Sequence, residues 1–308
     1  MPVNLGQIKD LLLPGLRAVT GEYPMIPTRW DKIFIRGKSN MALERTANMR
    51  FLGLAQLKSE GGQTAFDKNA GERYVYNQEH MEVGLGYAIT RKAIDDNLYK
   101  TQFKPTNLGL TNSFAQFKEI EGWNVLNTGN VYNPNVGGDG VALFATNHPI
   151  DGGTFANTPS VQVDLNEASL LNAMTTIPTT FLDNAGLKMH ARARKLVVPF
   201  ALEPVAIRLT KTELRPGTAD NDVNAIQTTA GGLPDGYVVS EYLTSNFSWF
   251  LITSLNREGQ GLLYLERIPF ETDMQVEFTT DNLLVKGYER YSFSYNEPRA
   301  AWGSFPTS

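Results

Sequence analysis

Gly140-Val-Ala-Leu-Phe-Ala-Thr-Asn-His-Pro149 opens the stretch that decides the fold, and Lys195-Leu-Val-Val-Pro-Phe200 closes it. Between them lie a glycine and asparagine loop (Gly152, Gly153, Asn157), a helix start at Asp164-Leu-Asn-Glu167, and the turn Asp183-Asn-Ala-Gly186. Physically this is loop, capped helix, turn and buried strand. Asp164 is placed to accept a first-turn amide, and Glu167, three residues on, to reach back. Leu171 and Met174 are expected on the buried face of a helix over Leu165–Ile177 that Pro178 ends. A short apolar run bounded by turn signals, such as Leu196-Val-Val-Pro199, reads as a buried strand.

Upstream, residues 1–45 hold apolar islands, Leu11-Leu-Leu13, Tyr23-Pro-Met-Ile-Pro27 and Trp30, separated by proline and glycine. Pro14, Pro24 and Pro27 break any long helix. Such an arm packs either on its own domain or on a neighbouring subunit, and the sequence leaves both open. Residues 46–90 read as a long two-stranded excursion. One leg is Leu52–Leu57; the return runs through Glu72–Asn77 and on through Met81–Ile89. The polar tip Glu60–Gly71 lies between them. A lone hairpin of this length is marginal in water and needs a surface to lie on.

Thr90 caps a helical segment, Pro105 interrupts it, and Phe114, Phe117, Ile120 and Trp123 recur at three-residue spacing. That stripe is expected in the core, with Lys118, Glu119 and Glu121 off it. Gly129 and Asn130 end the helix. A further helix is expected over Leu202–Leu209 after Pro204. Trp249-Phe-Leu-Ile-Thr253 reads as a buried central strand. The C-terminal part alternates through Leu262–Leu265, Gln275–Phe278, Leu283–Lys286 and Tyr288–Tyr295, with a turn at Asp281-Asn282.

Composition narrows the function. The chain has 308 residues, 42% of them apolar, and 27 glycines and 16 prolines, enough for a sizeable core with many turns. It has no cysteine, which excludes disulfides, thiol catalysis and cysteine–metal sites. A net charge of −4 is not the footprint of a protein that grips nucleic acid over a basic surface. The start, Met1-Pro-Val-Asn-Leu-Gly6, lacks the pattern of a secretory signal, and no apolar run reaches the ~20 residues of a membrane span.

Motifs of chemistry are sparse. His80, His148 and His190 stand outside any zinc-binding pattern, and His148, before a proline in a turn, is expected to make a structural hydrogen bond. There is no phosphate-binding loop and no nucleophile elbow. Gly84-Leu-Gly86 lacks the third small residue of a dinucleotide fingerprint. Asp95/Asp96, Asp220/Asp222 and Asp273 are oxygen donors for a hard cation. Asp220-Asn-Asp-Val-Asn224 resembles half a calcium loop, but lacks the glycine and the bidentate glutamate, and reads better as a solvated or capping loop. The basic edge around Arg192, Arg194 and Lys195 suits salt bridges to another protein. No catalytic residue, cofactor or metal is expected.

Several of these stretches carry a family resemblance. Tyr87-Ala-Ile-Thr-Arg-Lys-Ala-Ile-Asp-Asp96 is similar to the lead-in to the spine region of Mu-like and related phage capsid proteins. Leu143-Phe-Ala-Thr-Asn-His-Pro149, Gly186 with Leu196-Val-Val-Pro199, Asp222-Val-Asn224, and Tyr288-Glu-Arg290 with Trp302-Gly303 follow in the family's order. The chain resembles the major capsid proteins of tailed bacteriophages with the HK97-type shell fold. The resemblance spans about Met81 to Gly303; the arm and hairpin match by character only.

It implies an α+β fold with an N-terminal arm (1–45), an extended hairpin or E-loop (46–88), a peripheral P-domain spine (89–140), an axial A domain (141–264) and returning P-domain strands (265–308). It also implies hexamers and pentamers in an icosahedral shell around double-stranded DNA. A portal protein, a separate scaffolding protein and a decoration protein are the expected partners, with assembly in the host cytoplasm and no membrane. One branch of the family cross-links lysine to asparagine; no such pair is assigned here. The sites are then interfaces: the tip around Gly61, Gly62, Phe66 and Gly71; the arm at Leu11, Leu12, Leu13 and Trp30; Arg192 and Arg194; and Asp220, Asp222 and Asn224 near the capsomer centre. The alternatives are an encapsulin-like nanocompartment shell, a metal-dependent hydrolase built on the acidic clusters, and a trimeric tail or receptor-binding protein.

Overall fold

The computed structural model describes residues 27–67, 71–95, 99–133, 136, 138–213, 223–228 and 232–307. In chain order the elements are β1 (Ile35–Lys38), β2 (Leu43–Arg50), β3 (Gly71–Glu79), β4 (Met81–Ile89), α1 (Arg91–Asp95), α2 (Tyr99–Asn127), β5 (His148–Ile150), β6 (Gly153–Phe155), α3 (Glu167–Thr180) and β7 (Ala193–Pro199). They continue with α4 (Glu203–Lys211), α5 (Ala225–Thr228), β8 (Tyr237–Ser240), β9 (Trp249–Thr253), β10 (Leu262–Val276), β11 (Leu283–Tyr295) and β12 (Ala301–Ser304). Two four-stranded sheets form, in the orders β1-β10-β11-β4 and β12-β9-β7-β8. No helix among the described residues is long and apolar enough to cross a membrane.

The first sheet is built on the long pair β10–β11. Asp281, at φ +55°, makes the turn between them, in a left-handed conformation that aspartate tolerates better than most residues. The two runs read on each side of this turn are single strands. Pro269, which cannot donate to a ladder, falls where the β10–β11 register shifts between Ile268 and Glu271. Gly287 bridges the halves of β11, where any side chain would run into Phe114 and Phe270. The odd-numbered residues of β11 turn inward, Leu283 through Tyr295. Trp30, Tyr264, Tyr291 and Phe293 pile against one another there, with Trp30 4.3 Å from Tyr264 and 5.2 Å from Phe293.

The second sheet is a wall with apolar side chains on both faces. Val197, Val238, Phe250, Ile252 and Ala301 face the aromatic core beside α2. Leu196, Val198, Trp249, Leu251 and Trp302 face a second core closed by Leu170, Ala173 and Ile177 of α3 and Ala206 and Leu209 of α4. Strand β9 is therefore buried at every position, as its unbroken apolar run implies.

Several expectations are corrected. The outgoing leg of the hairpin is β2, not Leu52–Leu57. The latter continues beyond the ladder, because only Leu43–Arg50 finds cross-strand partners in Gly71–Glu79. Met81–Ile89 leaves the hairpin to pair with β11. Helix α2 runs through Pro105 and is 29 residues long. Its buried stripe is Leu110, Phe114, Glu119, Trp123 and Leu126, while Phe117 and Ile120 are exposed. A three-residue step falls short of a turn by about 60°, so a strict three-residue row drifts off one face. Helix α3 is capped by Asn166, whose side chain accepts from Ser169 N–H while the Ser169 hydroxyl accepts from Asn166 N–H. Pro178 sits inside its last turn rather than ending it. Pro204 lies in the first turn of α4, where a missing N–H costs nothing.

Glu119, read as off the stripe, is 1% exposed. Its carboxylate accepts from the backbone N–H of Arg29 (2.5 Å) and Trp30 (3.2 Å) and from Trp123 Nε1–H (2.8 Å). It thereby fixes the segment that delivers Trp30 to the core. Burial pushes this carboxyl above the ordinary glutamate range, against the opposing effect of the three hydrogen bonds. Replacing Glu119 by Ala strands three donors and should cost about 2–4 kcal/mol in urea unfolding of the subunit. Because the folded state holds this proton more tightly than the unfolded state, the Glu119 contribution falls as pH rises from the ordinary glutamate range through the raised value. The stability of Glu119→Gln relative to wild type should accordingly improve over that window.

Candidate intersubunit surface

The hairpin β2–β3 is clamped at the loop-proximal end of its ladder, where Arg50 faces Gly71. There, Asp151 forms ion pairs with Arg50 and with Arg73 (3.2 Å). Arg73 Nη1–H also donates to the Asn184 carbonyl (3.1 Å), and Tyr74 O–H to the Pro149 carbonyl (3.2 Å). Asn184 Nδ2–H donates to Asn48 Oδ1 and to the Met49 carbonyl (3.3 Å). Asn184 is held in turn by Arg299, whose Nη2–H donates to its Oδ1 (3.1 Å). The same guanidinium donates to the Leu182 carbonyl (2.6 Å) and pairs with Glu297 (2.8 Å) while lying over the Phe155 ring.

The sequence builds this clamp locally. Asp183 Oδ1 accepts from Ala185 N–H and Leu187 N–H, and Gly186 takes φ +82°, so Asp183–Gly186 folds into a tight turn that presents Asn184. His148 is fully buried, with Nδ1 2.6 Å from Asp139 and Nε2 3.2 Å from Asn157 Oδ1, and it stacks on Phe155. Asn157 Nδ2–H donates to the carbonyls of Leu143 (2.6 Å) and Pro298 (2.9 Å), joining this loop to the C-terminal segment. The structural hydrogen bond expected of His148 is there.

Beyond the ladder, residues 51–67 carry no strand. Gly61 makes a turn at φ +73°, Gly62 N–H reaches the Ser59 carbonyl, and Gly53 N–H reaches Asp67. The large apolar side chains here are in solvent: Leu54 is 78% exposed, Leu57 103% and Phe66 85%, with Phe51 and Leu52 also exposed. These are the exposures of an isolated chain. An apolar group this large and this bare makes the segment a candidate contact surface. Phe278, at the β10–β11 turn, is likewise exposed.

The other anticipated residues fare differently. Gly71 begins β3. Trp30 is not at a boundary; it lies in the chain's own core, because Glu119 draws its backbone onto α2. Arg192 has an exposed side chain, and Arg194 pairs with Asp235 of the same chain through two bonds of 2.9 and 3.2 Å. Arg194 holds the Asp235 carboxyl below its usual range. Asn224 is buried, its amide donating to the carbonyls of Leu209 and Thr212, so it ties the chain to α4 rather than facing out. Leu11, Leu12, Leu13, Asp220 and Asp222 lie outside the described residues. Asp273 is exposed beside Lys286, and among the described residues no group of three His, Asp or Glu gathers as a metal site. Sequence reasoning missed Asp151, Asn184 and Arg299. The turn signal around Asn184 was visible, but nothing in sequence tied it to Asn48 or Arg299.

A model of the family described as "phage capsid protein" matches residues 81–303. No curated protein sequence matches the chain. Among solved structures the chain is similar to the capsid of a native GTA particle, at 10% identity and TM-score 0.60, covering 92% of this chain and 93% of that one. It is also similar to the procapsid of bacteriophage JBD30, at 13% identity and TM-score 0.53, covering 99% and 77%. A virus-like particle from Pyrococcus furiosus aligns at 9% identity and TM-score 0.51, covering 98% and 99%. At these identities the likeness is one of fold, the HK97-like capsid fold.

The clamp has a direct test. Asn184→Ala removes the side chain that joins Arg299 to Asn48 and Met49 and should cost about 1–3 kcal/mol. Amide hydrogen exchange should then rise selectively over Leu43–Arg50 and Gly71–Glu79, while β9 stays protected.

Proposed function

The chain belongs to the phage capsid protein family, and from that premise we propose that it is the major head protein of a tailed phage, assembling through hexamers and pentamers into an icosahedral shell around double-stranded DNA. The observation that carries this reading is the hairpin, fixed at the loop end of its ladder by Asp151, Asn184 and Arg299 and bearing Leu54, Leu57 and Phe66 bare in the segment beyond. These side chains are exposed on the subunit itself. A neighbouring copy can bury them. Burying each is worth about 1.5–3 kcal/mol, and a closed shell repeats the contact at every subunit.

In this reading the E-loop is β2–β3 with residues 51–67. The P domain is α2 with the sheet β1-β10-β11-β4. The A domain is the second sheet with α3 and α4. Arg192 supplies a rim charge. A net charge of −4 suits an inner wall that does not trap incoming DNA. The partners are further copies of the chain, a portal protein, a separate scaffolding protein and a decoration protein, with assembly in the host cytoplasm. The role is structural rather than enzymatic. The family match favours a phage shell over a protein-filled compartment of the same fold.

Leu57→Asp combined with Phe66→Asp tests the proposal. Both sites are solvent-exposed in the subunit, so its stability should change by no more than about 0.5 kcal/mol. Closed particles in negative-stain microscopy and light scattering should disappear or fall sharply. Normal shells from the double variant would refute the assignment of the tip.

A further inference from the structure

Strand β4 is an open edge of the first sheet; among the described residues only β11 pairs with it. Its nine residues, Met81-Glu-Val-Gly-Leu-Gly-Tyr-Ala-Ile89, keep an unbroken register with β11. No other backbone–backbone hydrogen bond of the described residues involves them. Gly84 and Gly86 are exposed, and a glycine has only its backbone to expose. Long edges are ordinarily blunted by lysine, proline or a bulge. The opposite edge of the same sheet is blunted in this way: beyond β1, β10 carries Arg267, Pro269 and two register shifts. The hairpin strands β2 and β3 carry charges, and β8 and β12 are four residues each. Strand β4 has none of these protections. Its one charge, Glu82, pairs with Arg290 at 3.3 Å.

An edge of this kind accepts an apolar segment whose own backbone lacks partners. Phe51-Leu-Gly-Leu-Ala-Gln-Leu57 is such a segment. Every residue of it is exposed, and it has no charge, no strand and no backbone–backbone hydrogen bond among the described residues. Its Gly53 N–H bonds only the Asp67 carboxylate.

The two segments also match in side-chain size. Residues opposite one another in a ladder share a face. Val83, Leu85 and Tyr87 lie opposite the inward-turned residues of β11, so Gly84, Gly86 and Ala88 form the outer face of β4. A groove of about 490 Å³ runs over Gly86, Ala88 and Leu284 on that face. In the apolar segment the bulk alternates the other way, with Leu52 and Leu54 on one side and Gly53 and Ala55 on the other. With Leu54 opposite Gly84, the leucines cover the face that the glycines leave bare, and Gly53 and Ala55 meet Val83 and Leu85. No unpaired charge loses its water. Segment and edge are both bare in the subunit, so the segment that fills the edge comes from another copy.

We propose that β4 is completed by strand addition: residues 51–57 of a second copy pair along its free edge, with Leu54 opposite Gly84. This rests on the head-protein reading and gives the bare segment its receiving surface.

The chain has no cysteine, so engineered pairs cross-link without background. Leu54→Cys combined with Gly84→Cys is assembled and oxidised; a side chain at Gly84 meets nothing closer than 3.8 Å. Leu54→Cys combined with Phe278→Cys, at another exposed position, is the control. Intersubunit disulfides in shells of the first variant should exceed those of the control by at least about tenfold. If the first variant does not assemble, the wild-type protein decides: amide exchange over Val83–Ala88 should slow by at least about tenfold between free subunits and shells. Cross-linking no higher than the control's, or unchanged exchange over Val83–Ala88, would overturn the proposal. With normal wild-type shells, either result leaves the head-protein reading standing; wild-type chains that form no shell overturn both.

Discussion

The Arg299 guanidinium is almost wholly buried, and the rest of the structure depends on how it is used. An unpaired charge there would cost several kcal/mol, so each of its donors must find an acceptor. They find the carboxylate of Glu297, the carbonyl of Leu182 and the amide oxygen of Asn184. These partners belong to three different parts of the chain. Glu297 leads into β12, the edge of the two-faced sheet. Leu182 follows α3. Asn184 holds the strand that carries the hairpin. One cation therefore sets the hairpin's attitude relative to both cores.

The division between a held ladder and a bare loop follows from this. A two-stranded hairpin has little stability of its own, and β2–β3 is stable because ion pairs and buried amides hold one end of it. At the far end, Gly62 N–H bonds the Ser59 carbonyl and Gly53 N–H bonds Asp67, while Leu54, Leu57 and Phe66 lie in solvent. The two-faced sheet and the aromatic pile around Trp30 supply the folding stability. Under the proposed function this separation has a use, since the same residues would be in solvent before assembly and buried after it.

Much of this was legible in the sequence. Trp249–Ile252 is apolar throughout, and it lies in the strand between two cores. Leu196–Pro199 is the buried strand beside it. Asp183–Gly186 and Asp281-Asn282 are turns because aspartate, asparagine and glycine reach backbone conformations or local hydrogen bonds that other residues reach less readily. What was not legible has physical causes. Leu52, Leu54 and Leu57 mimic a half-buried strand, yet their apolar pattern faces solvent, and pattern alone cannot tell an intramolecular core from an intermolecular one. Glu119 looks like a surface charge until the N–H groups of Arg29 and Trp30, some ninety residues away, are brought onto it. Asn184 and Arg299 are likewise joined only by the tertiary fold. An excursion with a glycine-rich end was readable; the clamp that holds its ladder was not.

The central claim is that residues 51–67 are completed by a neighbouring subunit. Amide hydrogen exchange over this segment, compared between free subunits and closed shells of the wild-type protein, tests it most directly. The account expects rapid exchange in the subunit and protection by at least about tenfold in the shell, confined to this segment and the surface it meets. Equal, rapid exchange in both states would contradict it.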